Sequence, residues 1–133
     1  MERIVLIPYF PRSKHIHIFL APVKPGDGVN APLYKAALDL RLAVPGQGKR
    51  SLIYAHPRPS MFGSLSRAAV GETIEIDRPG APPLRYVIRE YYPRWPATDL
   101  SWLDPLGREQ LILETGTTYN INDPRIIAVG EPA

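Results

Sequence analysis

There is no cysteine among these 133 residues. Its absence excludes disulfides and thiolate metal sites. It also removes the one side chain that offers an accessible thiolate nucleophile near neutral pH. It does not fix a compartment. Long apolar runs are missing as well: Ile4 to Ile7 is far too short to cross a bilayer, and no signal-peptide pattern is visible. Excess charge is small, with 16 Lys and Arg against 13 Asp and Glu, a net charge of +3. The basic residues are scattered, which argues against a nucleic-acid partner. No repeat, low-complexity tract or linker divides the chain. An apolar share of 44% and a charged share of 22% fit one soluble globular domain over residues 1–133, large enough for a single core.

Proline is plentiful instead, at 16 residues, roughly twice the usual share. Helices tolerate it poorly, because the ring removes a donor and clashes with the preceding turn. Short apolar runs bounded by Gly, Pro, Asn or Asp read as strands: Ile4–Ile7, His15–Leu20, Ser51–Ala55, Thr73–Ile76, Leu84–Arg89, Gln110–Glu114 and Ile126–Val129. The breaker Pro79-Gly80-Ala81-Pro82-Pro83 separates two of them. Helix signals are few. Leu33 to Leu42 reads as a short helix behind Asn30 and Pro32, Ser60 to Ala69 as a turn or two, and Asp99 as the cap of a single turn through Trp102 and Leu103. The expectation is an all-β fold, a closed or nearly closed barrel of seven to eight strands with short helices and 3-10 turns.

Three positions carry a possible chemistry. His56 follows the apolar run Leu52-Ile53-Tyr54-Ala55, where a strand end fixes the backbone of an imidazole. Sixty positions on, Leu111-Ile112-Leu113-Glu114-Thr115 ends at Gly116. Nine positions after that, Arg125 opens the last strand. By alternation, position 116 faces the same side as Ile112 and Glu114, and Thr115 the other. A strand-terminal glycine ordinarily serves a positive φ.

This layout resembles the sortases, cysteine transpeptidases in which the strand reads roughly Leu-x-Leu-x-Thr-Cys with the arginine on the next strand. The spacing is similar to classes with a short loop between those strands. Arg3-Ile4-Val5-Leu6-Ile7-Pro8, Val44-Pro45-Gly46-Gln47-Gly48, Val70-Gly71-Glu72-Thr73-Ile74 and Trp95-Pro96-Ala97-Thr98-Asp99 resemble further family segments in the same order. The resemblance implies that the thiol attacks a sorting-motif carbonyl to form a thioester. The histidine then acts as acid and base, and the arginine stabilises the oxyanion. Carried onto this chain, it gives His56, Arg125 and Gly116, with Gly116 standing where the family has its cysteine. Met61, Phe62, Trp95, Trp102, Thr115 and Thr117 would line the peptide groove.

The implied partners are a sorting-motif peptide or surface protein and an amine acceptor on cell wall or pilin, at the extracellular face of the membrane or the cell surface. The membrane would be engaged only through an N-terminal anchor not present in this chain, which reads as a trimmed soluble domain or a different gene architecture. Glycine offers no nucleophile, so the family reaction should not run on the chain as written. It reads as a natural pseudoenzyme or a nucleophile-substituted variant; the alternatives are an all-β surface binding module and a hydrolase using His56 with another nucleophile. Thr117 is a weak substitute, since a mid-chain hydroxyl needs a strong aligned base. No cofactor is implied. His15 and His17 share a strand face at a chelating spacing, but no acidic residue or cysteine nearby completes a metal site. Asp39 and Glu114 show no paired-acid pattern.

Overall fold

The computed structural model describes residues 3–6, 15–21, 37–39, 41–55, 57, 62–78, 80–118, 120 and 122–133. The elements run β1 (Arg3–Leu6), β2 (His15–Ala21), β3 (Ala37–Leu38), β4 (Arg50–Ala55), the 3-10 turn η1 (Gly63–Arg67), β5 (Thr73–Arg78), β6 (Ala81–Trp95), the 3-10 turn η2 (Ser101–Leu103), β7 (Gln110–Gly116) and β8 (Arg125–Pro132). Six of the seven expected apolar runs fall within these strands, and the described part of the seventh, Ile4 to Leu6, lies in β1. They form one sheet in the order β1-β2-β5-β6-β8-β7-β4-β3. The pairs β2–β5 and β4–β7 are parallel and the others antiparallel. The sheet curls into an incomplete barrel in which the edge strands β1 and β3 approach each other.

A period of two sends neighbouring side chains to opposite faces, and here both faces are apolar. Ile53, Ala55, Leu111, Leu113, Ile126 and Ala128 join the inner core with Phe62, Leu65, Ile74, Ile76, Tyr86 and Ile88. Leu52, Tyr54, Ile112, Ile127 and Val129 form an outer cluster, roofed by Tyr92, Trp95, Trp102 and Leu103. That is why Leu111-Ile112-Leu113 shows no polar alternation: β7 is covered on both sides.

Two local expectations need correction. The helix expected over Leu33 to Leu42 is absent from its described part. Ala37 and Leu38 pair with Tyr54 and Ile53 as β3, and the Asp39 N–H donates to the Leu52 carbonyl at 2.9 Å. Leu38 is fully buried in the inner core, and that tertiary pairing outweighs a weak helical preference. The last three residues of the breaker before Leu84 also belong to a strand, since β6 begins at Ala81. Arg78 pairs with Ala81 and Ile76 with Leu84, so Pro82 and Pro83 sit at a register shift. There a missing N–H costs no ladder bond. The η1 and η2 turns fall within the expected stretches, and the Asp99 carboxylate accepts from the Ser101 N–H at 3.0 Å.

Candidate active site

The ends of three strands meet beside Gly116. β7 and β8 are antiparallel with Gly116 opposite Arg125, and β4 runs parallel to β7 with Ala55 beside Thr115. His56, the residue after Ala55, lies outside the described residues, as does Met61. The Thr115 hydroxyl is buried and donates to the Ala55 carbonyl at 2.6 Å. Thr115 therefore bridges β4 and β7 and faces away from solvent.

Gly116 is buried, and its φ is not among the positive values, which belong to Gly46, Gly48, Gly71 and Gly80. Glycine is used here for space. A Cβ at this position would run into the backbone carbonyl oxygen of Thr118. The turn that delivers this carbonyl is well anchored. The Thr117 N–H and hydroxyl both donate to the Pro124 carbonyl, at 3.1 and 2.8 Å. The Thr118 hydroxyl donates to Asp123 Oδ2 at 2.6 Å and accepts from the Asn120 N–H at 3.0 Å. Thr117 is thus committed to its own loop in this structure.

The outer face next to Gly116 holds more charge than its sequence neighbourhood suggested. Glu114 and Arg125 lie diagonally across the β7–β8 ladder on the same face, because Glu114 registers with Ile127. With Asp39, Leu52, Asp99 and Trp102 they line a cavity of about 40 Å³. Burial raises the Glu114 pKa above the usual carboxylate range; Arg125 partly opposes this and Asp39 adds to it. Asp39 is fully buried and holds the Arg41 guanidinium through contacts of 3.0 and 2.6 Å. No local pattern in the chain signals a pairing of Asp39 with Glu114. They meet because β3 pads β4 on one side and β7 on the other, which a strand-order argument would have found.

The aromatic positions divide. Trp95 and Trp102 pack together at 5.2 Å between ring centroids, with Tyr92 at 5.0 and 5.8 Å from them. This partly exposed cluster roofs the outer core beside the cavity, and sequence reasoning missed Tyr92. The Trp102 indole N–H is buried without a hydrogen-bond acceptor among the described residues. Phe62 is 1% exposed in the inner core, so it supplies no groove wall here: η1 tucks it beneath the sheet beside Leu65. Among the described residues there is no group of three or more His, Cys, Asp or Glu able to hold a metal ion, and no helix long and apolar enough to cross a membrane. The backbones of His15 and His17 lie on β2.

Solved structures share this fold. Sortase C1 of Streptococcus agalactiae superposes with a TM-score of 0.70 at 18% identity, over 99% of this chain and 66% of its own. Sortase C-1 of Actinomyces oris gives 0.64 at 21% identity, over 74% and 58%. Sortase C of Clostridium perfringens SM101 gives 0.64 at 16%, over 89% and 62%. The chain therefore spans somewhat under two thirds of the length of these proteins. At such identities the likeness establishes the fold alone. No curated protein matches the chain. The Sortase domain family model, however, matches residues 14–133, nearly the whole chain, and the protein belongs to the sortase family.

Proposed function

We infer that this domain keeps the peptide-recognising face of a sortase and does not carry out acyl transfer through a thioester. The observation that carries the reading is Gly116. It stands opposite Arg125 at the strand end where the family places its cysteine, and the Thr118 carbonyl fills the space a side chain would need. A position merely emptied of its thiol would leave room for one. This turn is bonded around the glycine, which favours a natural pseudoenzyme over a nucleophile-substituted variant. In this reading residues 1–133 form one sortase-type domain acting at the cell surface. Its ligand is a sorting-motif peptide or a surface protein. Arg125 faces the peptide carbonyl, His56 keeps the role that the family resemblance implies, and Trp95 and Trp102 with Thr117 border the groove. A cationic fork suits a carbonyl or carboxylate whether or not a bond is broken there.

The test pairs binding with chemistry. The chain and its Gly116→Cys and Arg125→Gln variants are titrated with labelled sorting-motif peptides, and each is assayed for covalent adducts and amine-dependent transfer. Saturable binding by the parent, weakened in Arg125→Gln and without any adduct, is the expected result. Transfer by the parent would overturn the reading. So would peptide binding that is absent, or indifferent to Arg125.

A further inference from the structure

At the opposite ends of the same two parallel strands, where β4 and β7 begin, lies an open pocket of about 310 Å³. Its lining includes Arg41, Lys49 and Arg50 and no carboxylate, with Leu42, Pro105 and Leu106 as apolar wall. Arg50 is fixed in place before any ligand arrives. Its Nε donates to Gln110 Oε1 at 2.7 Å, and its Nη1 to the carbonyls of Asp104 at 2.8 Å and Ser101 at 3.4 Å. The guanidinium sits 5.4 Å from the centre of the Trp102 ring. Arg41 is fixed in turn by Asp39, through its backbone N–H at 3.0 Å and two guanidinium bonds. Lys49 is exposed, and its ammonium has no partner among the described residues.

Two oriented guanidinium groups and one mobile ammonium make a receptor for an oxyanion with little ordering left to do on binding. Burial lowers the Arg50 pKa, with Asp104 opposing and Arg108 adding; its cation has lost part of its water and gains from a new anionic partner. Three donors converging from different directions suit the tetrahedrally arranged oxygens of a phosphate better than a carboxylate, whose acceptor sites all lie in one plane. The pocket is also much larger than an ion, and Leu42, Pro105 and Leu106 offer surface to an attached organic group. The geometry points to a binding site for a phosphate ester at this corner, gripped by Arg41, Lys49 and Arg50, with its organic part against the apolar wall. The site lies at the far end of β4 and β7 from Gly116, and it stands or falls independently of the peptide face.

The chemistry is shared by a soluble phosphate ester and a phospholipid headgroup, and the experiment separates them. The full chain is titrated by NMR with glycerol phosphate, inorganic phosphate and glycerol, and floated with phosphatidylglycerol or phosphatidylcholine vesicles. Lys49→Glu is the variant, since the Lys49 ammonium is exposed and makes no bond among the described residues. Saturable shifts at residues 41–50 and 105–106 with glycerol phosphate, weaker with inorganic phosphate and absent with glycerol, are expected. Lys49→Glu should lower the affinity about tenfold. Flotation with phosphatidylglycerol alone would name the headgroup as the source; binding without flotation would name the soluble ester. Neither saturable binding nor flotation, or binding unaltered by Lys49→Glu, would overturn the site.

Discussion

The two ends of the β4–β7 pair are built by opposite means. At the entry end, side chains do the organising. Arg50 ties Gln110 to the Ser101 and Asp104 carbonyls. Glu109 accepts from the Gly46 and Gly48 N–H groups at 3.1 and 2.6 Å and from the Tyr86 hydroxyl at 2.6 Å. There the glycines answer a conformational need, with φ of 96° and 75°. At the exit end the backbone does the work. Gly116 answers a steric need, and the Thr118 carbonyl takes the room its side chain would occupy. The two kinds of glycine should respond differently to substitution: at the entry end the glycines bend the backbone around a pocket, and at the exit end Gly116 lets the backbone close over its own strand end.

The sharpest way to break the comparison is to put a side chain at each end. Gly116→Cys should destabilise the fold by about 3 kcal/mol, because backbone must move to admit the Cβ. Gly48→Ala, whose Cβ would meet nothing within 4 Å, should cost only about 1 kcal/mol, from the left-handed backbone. Urea unfolding of both variants measures this, and equal losses would mean that the Thr118 turn yields freely. Next in size, Arg50→Met strips Gln110 of its bond and two carbonyls of their donor, for about 2 kcal/mol. A loss near zero would show the entry end to be held by packing instead. Thr115→Val removes the bridge from β7 to the Ala55 carbonyl and should cost about 1 kcal/mol. Amide exchange along β4 should then quicken at its C-terminal half and stay slow near Arg50.

The smallest effect concerns pH. Because burial raises the Glu114 pKa, the folded protein holds that proton to higher pH than the unfolded chain does. Stability from this group therefore falls as pH rises out of the ordinary carboxylate range and through the folded value. Glu114→Gln removes the loss, so its melting temperature should exceed the parent's near neutral pH and converge with it in acid. Thermal melts across that range decide the sign. A variant less stable than the parent at neutral pH would mean that Glu114 is favoured as the charged partner of Arg125.

Much of this was legible from local pattern. Period-two alternation and bounded apolar runs located seven strands, because burial of a strand face is written into consecutive residues. The order of His56, Gly116 and Arg125 along flanking family-like segments pointed to the sortases, and the Sortase domain match agrees. What failed locally was Leu33–Leu42, where a pairing with β4 turned helix-compatible residues into a strand, and Phe62, where burial beneath the sheet replaced groove exposure.

The residue list alone determined that these 133 residues hold no thiol, and therefore that position 116 of this domain offers none. Composition does not depend on folding. Only the tertiary structure decided that Gly116 is packed against a neighbouring carbonyl, that Asp39 and Glu114 share one cavity, and that Arg41, Lys49 and Arg50 face one pocket without a carboxylate in its wall. Each of those facts rests on strands adjacent in the sheet but distant in the chain, and adjacency is set by the packing of the whole core.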